Sequence, residues 1–338
     1  MSERTASGSS TGQPPRRATS GVLQVVDLEA AEHDWEISPG TVLHGYAFNG
    51  QAPGPVIEAS VGDTLLVRFT NLLPEPTTIR WHGLREPAAM DVSEPAADPV
   101  PPGGRLQYKL HLPDAGTFWY DSPTNATTQS QRGLCGVLVV RNPDELPFDA
   151  DRVLLIDDLE LNRSGQLGAP NQLLDDRRGP EEEVLLVNGL LEPEMHIATG
   201  QVERWRLVNT TSARLLQLSL GGHQFHVIRT DVLTPHAVHE VRIAPGDRFD
   251  LAVGPFSTGE TVVFEALSYD RGVVEPSHHM LATLHVAPTD SPSKARGLDL
   301  GPLTRRGTYG LPGGVADLDF SSRGMDTLKS RALDGEEG

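Results

Sequence analysis

The side chains best able to bind a metal or carry a proton are the twelve histidines and the single cysteine, Cys135. Seven of the histidines crowd the later part of the chain: His223, His226, His236, His239, His278, His279 and His285. A neutral imidazole suits copper or zinc, so their spacing decides whether any two could share an ion. His223 and His226 stand three apart in an apparent strand and would face opposite sides, which argues against chelation. His278-His279-Met280 resembles a copper-handling string, yet adjacent strand residues point apart. His236 and His239 fall beside Pro235 in what reads as a loop and could converge, although loop and surface positions are the plainer reading. One cysteine excludes an intrachain disulfide and any multi-cysteine zinc or iron–sulfur centre. With no histidine beside it in sequence, Cys135 reads as a small buried core residue.

Whatever positions these groups is built from strands, and it is built twice. Pro55, Gly62, Arg68 and Asn71 recur as Pro193, Gly200, Arg206 and Asn209, each 138 residues on. Pro102-Gly103-Gly104-Arg105 up to Gly116 is matched by Pro245-Gly246-Asp247-Arg248 up to Gly259, with the outer glycines 13 positions apart in both copies. Agreement at so many fixed offsets predicts two homologous domains. Leu65, Val67 and Phe69 alternate with Leu66, Arg68 and Thr70, close to the period of a half-buried strand. Further strands are expected at 106–110, 117–120, 137–140 and 184–187, with Glu181–Glu183 as a charged loop. Gly-Asp and Pro-Gly pairs punctuate these runs as a β-sandwich requires. The expected organisation is a disordered segment over 1–21, a first domain over 22–145, a second over 146–288 and a mostly disordered tail over 289–338, in which Leu318–Phe320 could dock. Asn142–Pro147 reads as the linker.

The first repeat resembles the opening domain of multicopper oxidases, the laccase and cell-division-protein superfamily. The resemblance is carried by Tyr46–Pro55, Val67–Pro74, Thr77–Leu84, Asp114–Tyr120 and Arg132–Gly136, and in the second repeat by Val187-Asn188-Gly189, Arg204–Asn209 and Ala244–Arg248. It implies an all-β fold of two tandem cupredoxin-like Greek-key sandwiches. In that family, oxygen is reduced at a trinuclear copper cluster held by four His-X-His pairs, whose i, i+2 imidazoles share one strand face. Carried onto this chain, the first pair is Arg80-Trp81-His82 and the second is Asp121-Ser122-Pro123. Arg80, Asp121 and Pro123 therefore stand where ligands belong, and His82 is the retained one. The other two pairs, with a Cys-His-Met copper site, belong to a third domain, which this chain is expected to lack.

These departures imply that no cofactor is needed, copper remaining possible only through the resemblance. Arg80 and Asp121 would face a common centre as an ion pair that replaces the metal, unless both face solvent independently. His82 and Asp121 could instead offer a partial divalent-metal site, or a general base with its orienting carboxylate. The expected function is a non-catalytic binding or scaffold module, a role in which copper-free members of the family are known. The alternatives are an oxidoreductase completed by partner subunits and a copper-independent enzyme in the former cluster cavity. A net charge of −18 disfavours nucleic acid and anionic membrane and leaves a protein partner or a second copy. No secretory signal is visible, so the cytoplasm is the expected compartment. The sequons at Asn125 and Asn209 carry little weight without one.

Overall fold

A computed structural model describes residues 21–85, 99–124, 129–162, 166–167, 182–229, 236–267 and 278–295. The first domain contains β1 (Leu23–Ser38), β2 (Thr41–Phe48), β3 (Ile57–Ser60), β4 (Thr64–Asn71), β5 (Arg80–His82), β6 (Arg105–His111), β7 (Gly116–Asp121) and β8 (Cys135–Arg141). They form two four-stranded sheets, ordered β2-β1-β4-β6 and β3-β8-β7-β5. The second domain contains β9 (Ala150–Leu161), β10 (Glu182–Val187), β11 (Glu194–Ala198), β12 (Glu203–Asn209) and β13 (Leu216–Ser219). It continues with β14 (Phe225–Arg229), β15 (His236–Val238), β16 (Glu240–Ile243), β17 (Arg248–Val253), β18 (Thr261–Leu267) and β19 (His279–Ala287). Its sheets run β10-β9-β12-β17-β14-β15 and β11-β19-β18-β13-β16. The fold is all-β, two cupredoxin-like sandwiches. Among the described residues no helix is long and apolar enough to cross a membrane.

The duplication is visible in the topology. Order β2-β1-β4-β6 maps onto β10-β9-β12-β17, and β3-β8-β7-β5 onto β11-β19-β18-β13. Repeated residues do repeated work. Asn49 and Asn188 adopt φ of 53° and 51°, each followed by a positive-φ glycine, which is the two-residue hairpin turn that Asn-Gly favours. Asn49 ties back to Glu29 N and Asp27 O, and Asn188 to Leu155 N and Val153 O. Asn71 Nδ2 donates to Glu75 O and Val100 O, and Asn209 Nδ2 to Arg214 O and Ile243 O. Each pins the loop that leaves the strand, and Asn209 is fully buried. Asn125 lies outside the described residues.

Three local expectations need correction. β10 begins at Glu182, because Glu182 and Glu183 extend the antiparallel ladder opposite Leu161 and Glu160, and ladder pairing outweighs their poor strand preference. His236 opens a strand rather than sitting in a loop, since it pairs with Val227. Residues 289–295 are not loose: Ser293 Oγ and Lys294 N both donate to the Asp149 carboxylate, at 2.6 Å each. Residues 1–20 and 296–338, Leu318–Phe320 included, lie outside the described residues.

Two apolar seams join the domains. The β1–β2 hairpin lays Ile37 and Leu43 on Leu159, Leu161, Val184 and Leu186. Trp119, Cys135, Val137 and Val139 pack on Leu155 and Val208. Beside the second seam lies a buried ionic network. Arg206, 1% exposed, reaches Asp151 at 2.7 Å, Glu145 of the linker at 3.3 Å and Asp250 at 3.3 Å. Thr117 Oγ1 of β7 donates to Asp250 Oδ1 at 2.7 Å, which carries the network across the domain boundary. Burial pushes the Asp151 and Glu145 carboxyls up, but the arginines around them outweigh it and hold both below their ordinary values. Removing one member of such a network strands buried charge at a cost of about 3–5 kcal/mol. Arg206→Ala is expected to lower unfolding stability by about that much in urea denaturation. Its positional twin Arg68 makes an exposed pair with Asp27, and Arg68→Ala is expected to leave the midpoint unmoved.

Candidate functional site

The residues at the family's ligand positions are placed by four aromatic side chains, Tyr108, Trp81, Tyr120 and Trp119. Tyr108 accepts from Ile79 N at 2.9 Å and contacts Thr78 Oγ1 at 2.9 Å, which fixes the approach to the short strand β5. Trp81, the middle residue of β5, turns into the core against Tyr108 and Tyr120. Strand alternation then sends Arg80 and His82 to the other face. β5 pairs antiparallel with β7, setting Arg80 opposite Asp121 and His82 opposite Trp119. His82 stacks on the Trp119 ring with centroids 3.6 Å apart and planes within 2°.

Asp121 is the centre of the arrangement. Its side chain is 3% exposed, against 35% for Arg80 and 22% for His82. Arg80 grips it with both ends of the guanidinium, Nη2 to Oδ2 at 2.8 Å and Nε to Oδ1 at 3.2 Å. His82 Nε2 lies 2.9 Å from Oδ1 and 3.0 Å from Arg80 Nε. One nitrogen cannot accept from Arg80 and donate to Asp121 together, and the carboxylate is the obligate acceptor, so we assign the proton to Nε2. Asp121 thus accepts three N–H donors of the roughly four its lone pairs allow. Gly83, at φ +82°, follows β5, and a Cβ there would meet the Arg248 guanidinium at 2.8 Å. A second cation, from domain two, therefore covers the loop beside the site.

Copper does not fit this donor set. Arginine stays protonated, the one retained imidazole spends Nε2 on Asp121, and the carboxylate is nearly saturated. Pro123, just beyond β7, has no donor side chain. The structure brings Arg80, His82 and Asp121 together and leaves Pro123 aside.

Cys135 lies opposite Asp121 on β8, 2% exposed, in the seam with domain two. Burial, with Asp157 and Asp121 nearby, pushes its thiol well up, so it remains an unreactive SH. The adjoining cavity, lined by Trp35, Cys135, Asp157 and Leu186 among others, measures about 10 Å³, room for one water and no substrate. The singled-out histidines whose side chains are described have separate settings. His223 precedes β14 in a turn and meets Glu260 at 2.9 Å, and His226 faces an apolar setting that lowers its pKa. His239 contacts Gly222 O, and His278 pairs with Glu265 at 2.8 Å. Among the described residues no three His, Cys, Asp or Glu side chains gather as a metal site. Sequence reading missed the Trp119 platform and the Arg248 cover, because both depend on strand register and domain docking. Gly83, a residue needed for close approach, was the available signal.

Two outcomes follow from this geometry. Arg80→Ala strips the buried Asp121 of its main partner and should cost roughly 3 kcal/mol, the low end for a buried pair because Arg80 is a third exposed. A double-mutant cycle with Asp121→Asn should return a coupling of about 1–3 kcal/mol, and additive losses would show that the pair is idle. Burial and the adjacent Asp158 raise the Asp157 carboxyl well above its ordinary value. The folded protein then keeps a proton that the unfolded chain gives up near pH ~4, so stability falls as pH rises from that value towards the raised native one. Asp157→Asn should accordingly gain stability at pH 7 relative to the parent and show little gain at pH 4 in urea titrations; equal differences at both pH values would contradict the shift.

Comparison with known proteins agrees with the geometry of the sheets. Two family models, each described as multicopper oxidase, match residues 29–145 and 154–259, together more than half of the chain. Laccase-1 of Cryptococcus neoformans var. grubii is 30% identical over 239 residues, covering 62% of this chain and 38% of the laccase. The cell division protein FtsP of Escherichia coli is 29% identical over 266 residues, covering 74% of this chain and 56% of FtsP. A crystal structure of a multi-copper oxidase from Pseudomonas Thermotolerans superposes with a TM-score of 0.70 at 32% identity, covering 80% of this chain and 65% of that one. This chain thus spans little more than a third of the laccase it matches and just over half of FtsP. It belongs to the multicopper oxidase family.

Proposed function

We propose that this chain is a non-catalytic member of its family, a pair of cupredoxin domains that serves as a binding or scaffold module for a protein partner or a second copy. The observation that carries this reading is the Asp121 carboxylate, gripped at both oxygens by Arg80 and His82 where the family holds copper. A permanently cationic guanidinium at a ligand position repels a second cation and needs no metal for its charge balance. The intact framework around it supports selection for the fold rather than for oxygen chemistry. That one matching relative is named a cell division protein, and not an oxidase, is in keeping with such a role.

A second reading rests on the 2.9 Å contact between His82 Nε2 and Asp121. A carboxylate-oriented imidazole is a general base with its other nitrogen available. Arg80 counts against it, since it draws the same carboxylate into a bidentate pair and lowers what Asp121 can lend to His82. If a reaction is found, loss of turnover in His82→Ala with retained folding would favour this reading over the first.

The test is metal content and oxidation by the chain purified from a copper-fed host. The expected result is less than one copper per chain and no oxidation of a phenolic substrate. Three or more copper ions per chain, a blue colour or phenol oxidation would overturn the proposal. Copper acquired only on mixing with a candidate partner subunit would transfer the assignment to an oxidoreductase completed between chains.

A further inference from the structure

The polar face of the β11-β19-β18 sheet holds a pair of histidines that the site above does not use. β11 and β19 run parallel with His196 directly opposite His285, so both rings rise from the same side of the sheet. Their centroids are 5.7 Å apart and their planes are tilted by 37°. His196 is exposed and His285 half-buried. Three other exposed histidines are engaged by carboxylates, His223 by Glu260, His278 by Glu265 and His44 by Asp34, whereas these two face each other.

Core packing does not account for the pair. Under the domain repeat, β11 and β19 correspond to β3 and β8, and the register match Glu58 with Val139 corresponds to His196 with His285. In the first domain that face carries Val137 and Val139 and is buried against domain two. In the second, Thr283 and His285 take their places, leaving a polar surface with two imidazoles side by side.

We propose that His196 and His285 form a two-ligand site for a tetrahedral divalent transition-metal ion of the zinc class, completed by water. A ring centroid sits roughly 3.2 Å from a metal bound at about 2.0–2.1 Å through one ring nitrogen. Two imidazoles on a tetrahedral ion are then about 5.2 Å apart, and two adjacent ones on a square-planar ion about 4.5 Å apart. The observed 5.7 Å lies closer to the tetrahedral value, within reach of small χ rotations. The backbone under the site is stiffened by Arg152, which donates to His196 O and is itself held by Glu203, so its charge is neutralised where it nears the ion. Glu194 lies on the same face two residues before His196 and brings a negative charge beside the site. The chain's net charge of −18 further favours a bound cation.

Zinc titration of the full chain by calorimetry, with the histidine ring resonances followed by NMR, tests the site. One zinc per chain is expected, shifting the His196 and His285 rings together. Either His196→Ala or His285→Ala should weaken binding by about tenfold or more, and His278→Ala should leave it unchanged. His196 is exposed, so its variant carries the test even if His285→Ala perturbs folding. Absence of saturable zinc binding, or unaltered binding by His196→Ala, would overturn the proposal. The copper measurement stays separable: a single metal ion lost with His196→Ala belongs to this site, whereas three copper ions retained in that variant would contradict the non-catalytic reading instead.

Discussion

Strand β7 has no solvent face, and the site, the domain seam and the ionic network all follow from that. Phe118 and Tyr120 point into the first domain's core, while Thr117, Trp119 and Asp121 point away from it. Burying both sides of a strand whose outward residues are Thr, Trp and Asp is costly for any polar group left without a partner. Thr117 finds Asp250 across the boundary and Asp121 takes Arg80 and His82 from the neighbouring strand, whereas Trp119 stacks between His82 and domain two with its Nε1–H buried and unpartnered. Docking of the second domain and saturation of Asp121 are thus parts of one packing solution. Relieving either exposes or strands groups that belong to the other.

The duplicated framework makes clear which repeated residues answer to the backbone and which to the surroundings. Asn49 and Asn188 do the same work in both domains because a left-handed turn position accepts few side chains. Asn71 and Asn209 agree for a related reason: each feeds one carbonyl of the loop that leaves its strand and one carbonyl of a distant segment. Arg68 and Arg206 share an offset but diverge completely in setting. The first meets Asp27 in water; the second is sealed among Glu145, Asp151 and Asp250, because the strand face that carries Arg206 is covered at the domain boundary and the one that carries Arg68 is not.

That contrast explains what could be read from the chain and what could not. Turns, alternation and offsets are local, so the two sandwiches and the positions of β4, β6, β7 and β8 were legible in residue order. Pairings are long-range. Arg80 and Asp121 are 41 residues apart, and their opposition on β5 and β7 followed only from likeness to a family, not from any local pattern. His196 and His285 are farther apart still, whereas spacing in sequence draws the eye to neighbours such as His223 and His226, which have separate settings. The same limit hid the strand at His236 and the docking of residues 289–295, where a partner segment supplies the ladder or the acceptor.

Replacing metal by an ion pair changes the energetics of the strand pair in kind. A cluster of neutral imidazoles is held in place by its ion, and its geometry is enforced by coordination bonds. Arg80 and Asp121 bring opposite charges of their own, so their geometry is set by hydrogen bonds and by the burial of the carboxylate. The gain over solvent is modest, because desolvating both groups offsets much of the attraction. What the pair does secure is intolerance of its own disruption: an unpaired Asp121 beneath Trp119 and Arg80 would be costly, and a cation entering would have to displace a guanidinium already in place. A site of this kind is closed to metal by occupancy and not by shape, so the surrounding sheets can keep the family's geometry around a centre that is held by its own charges.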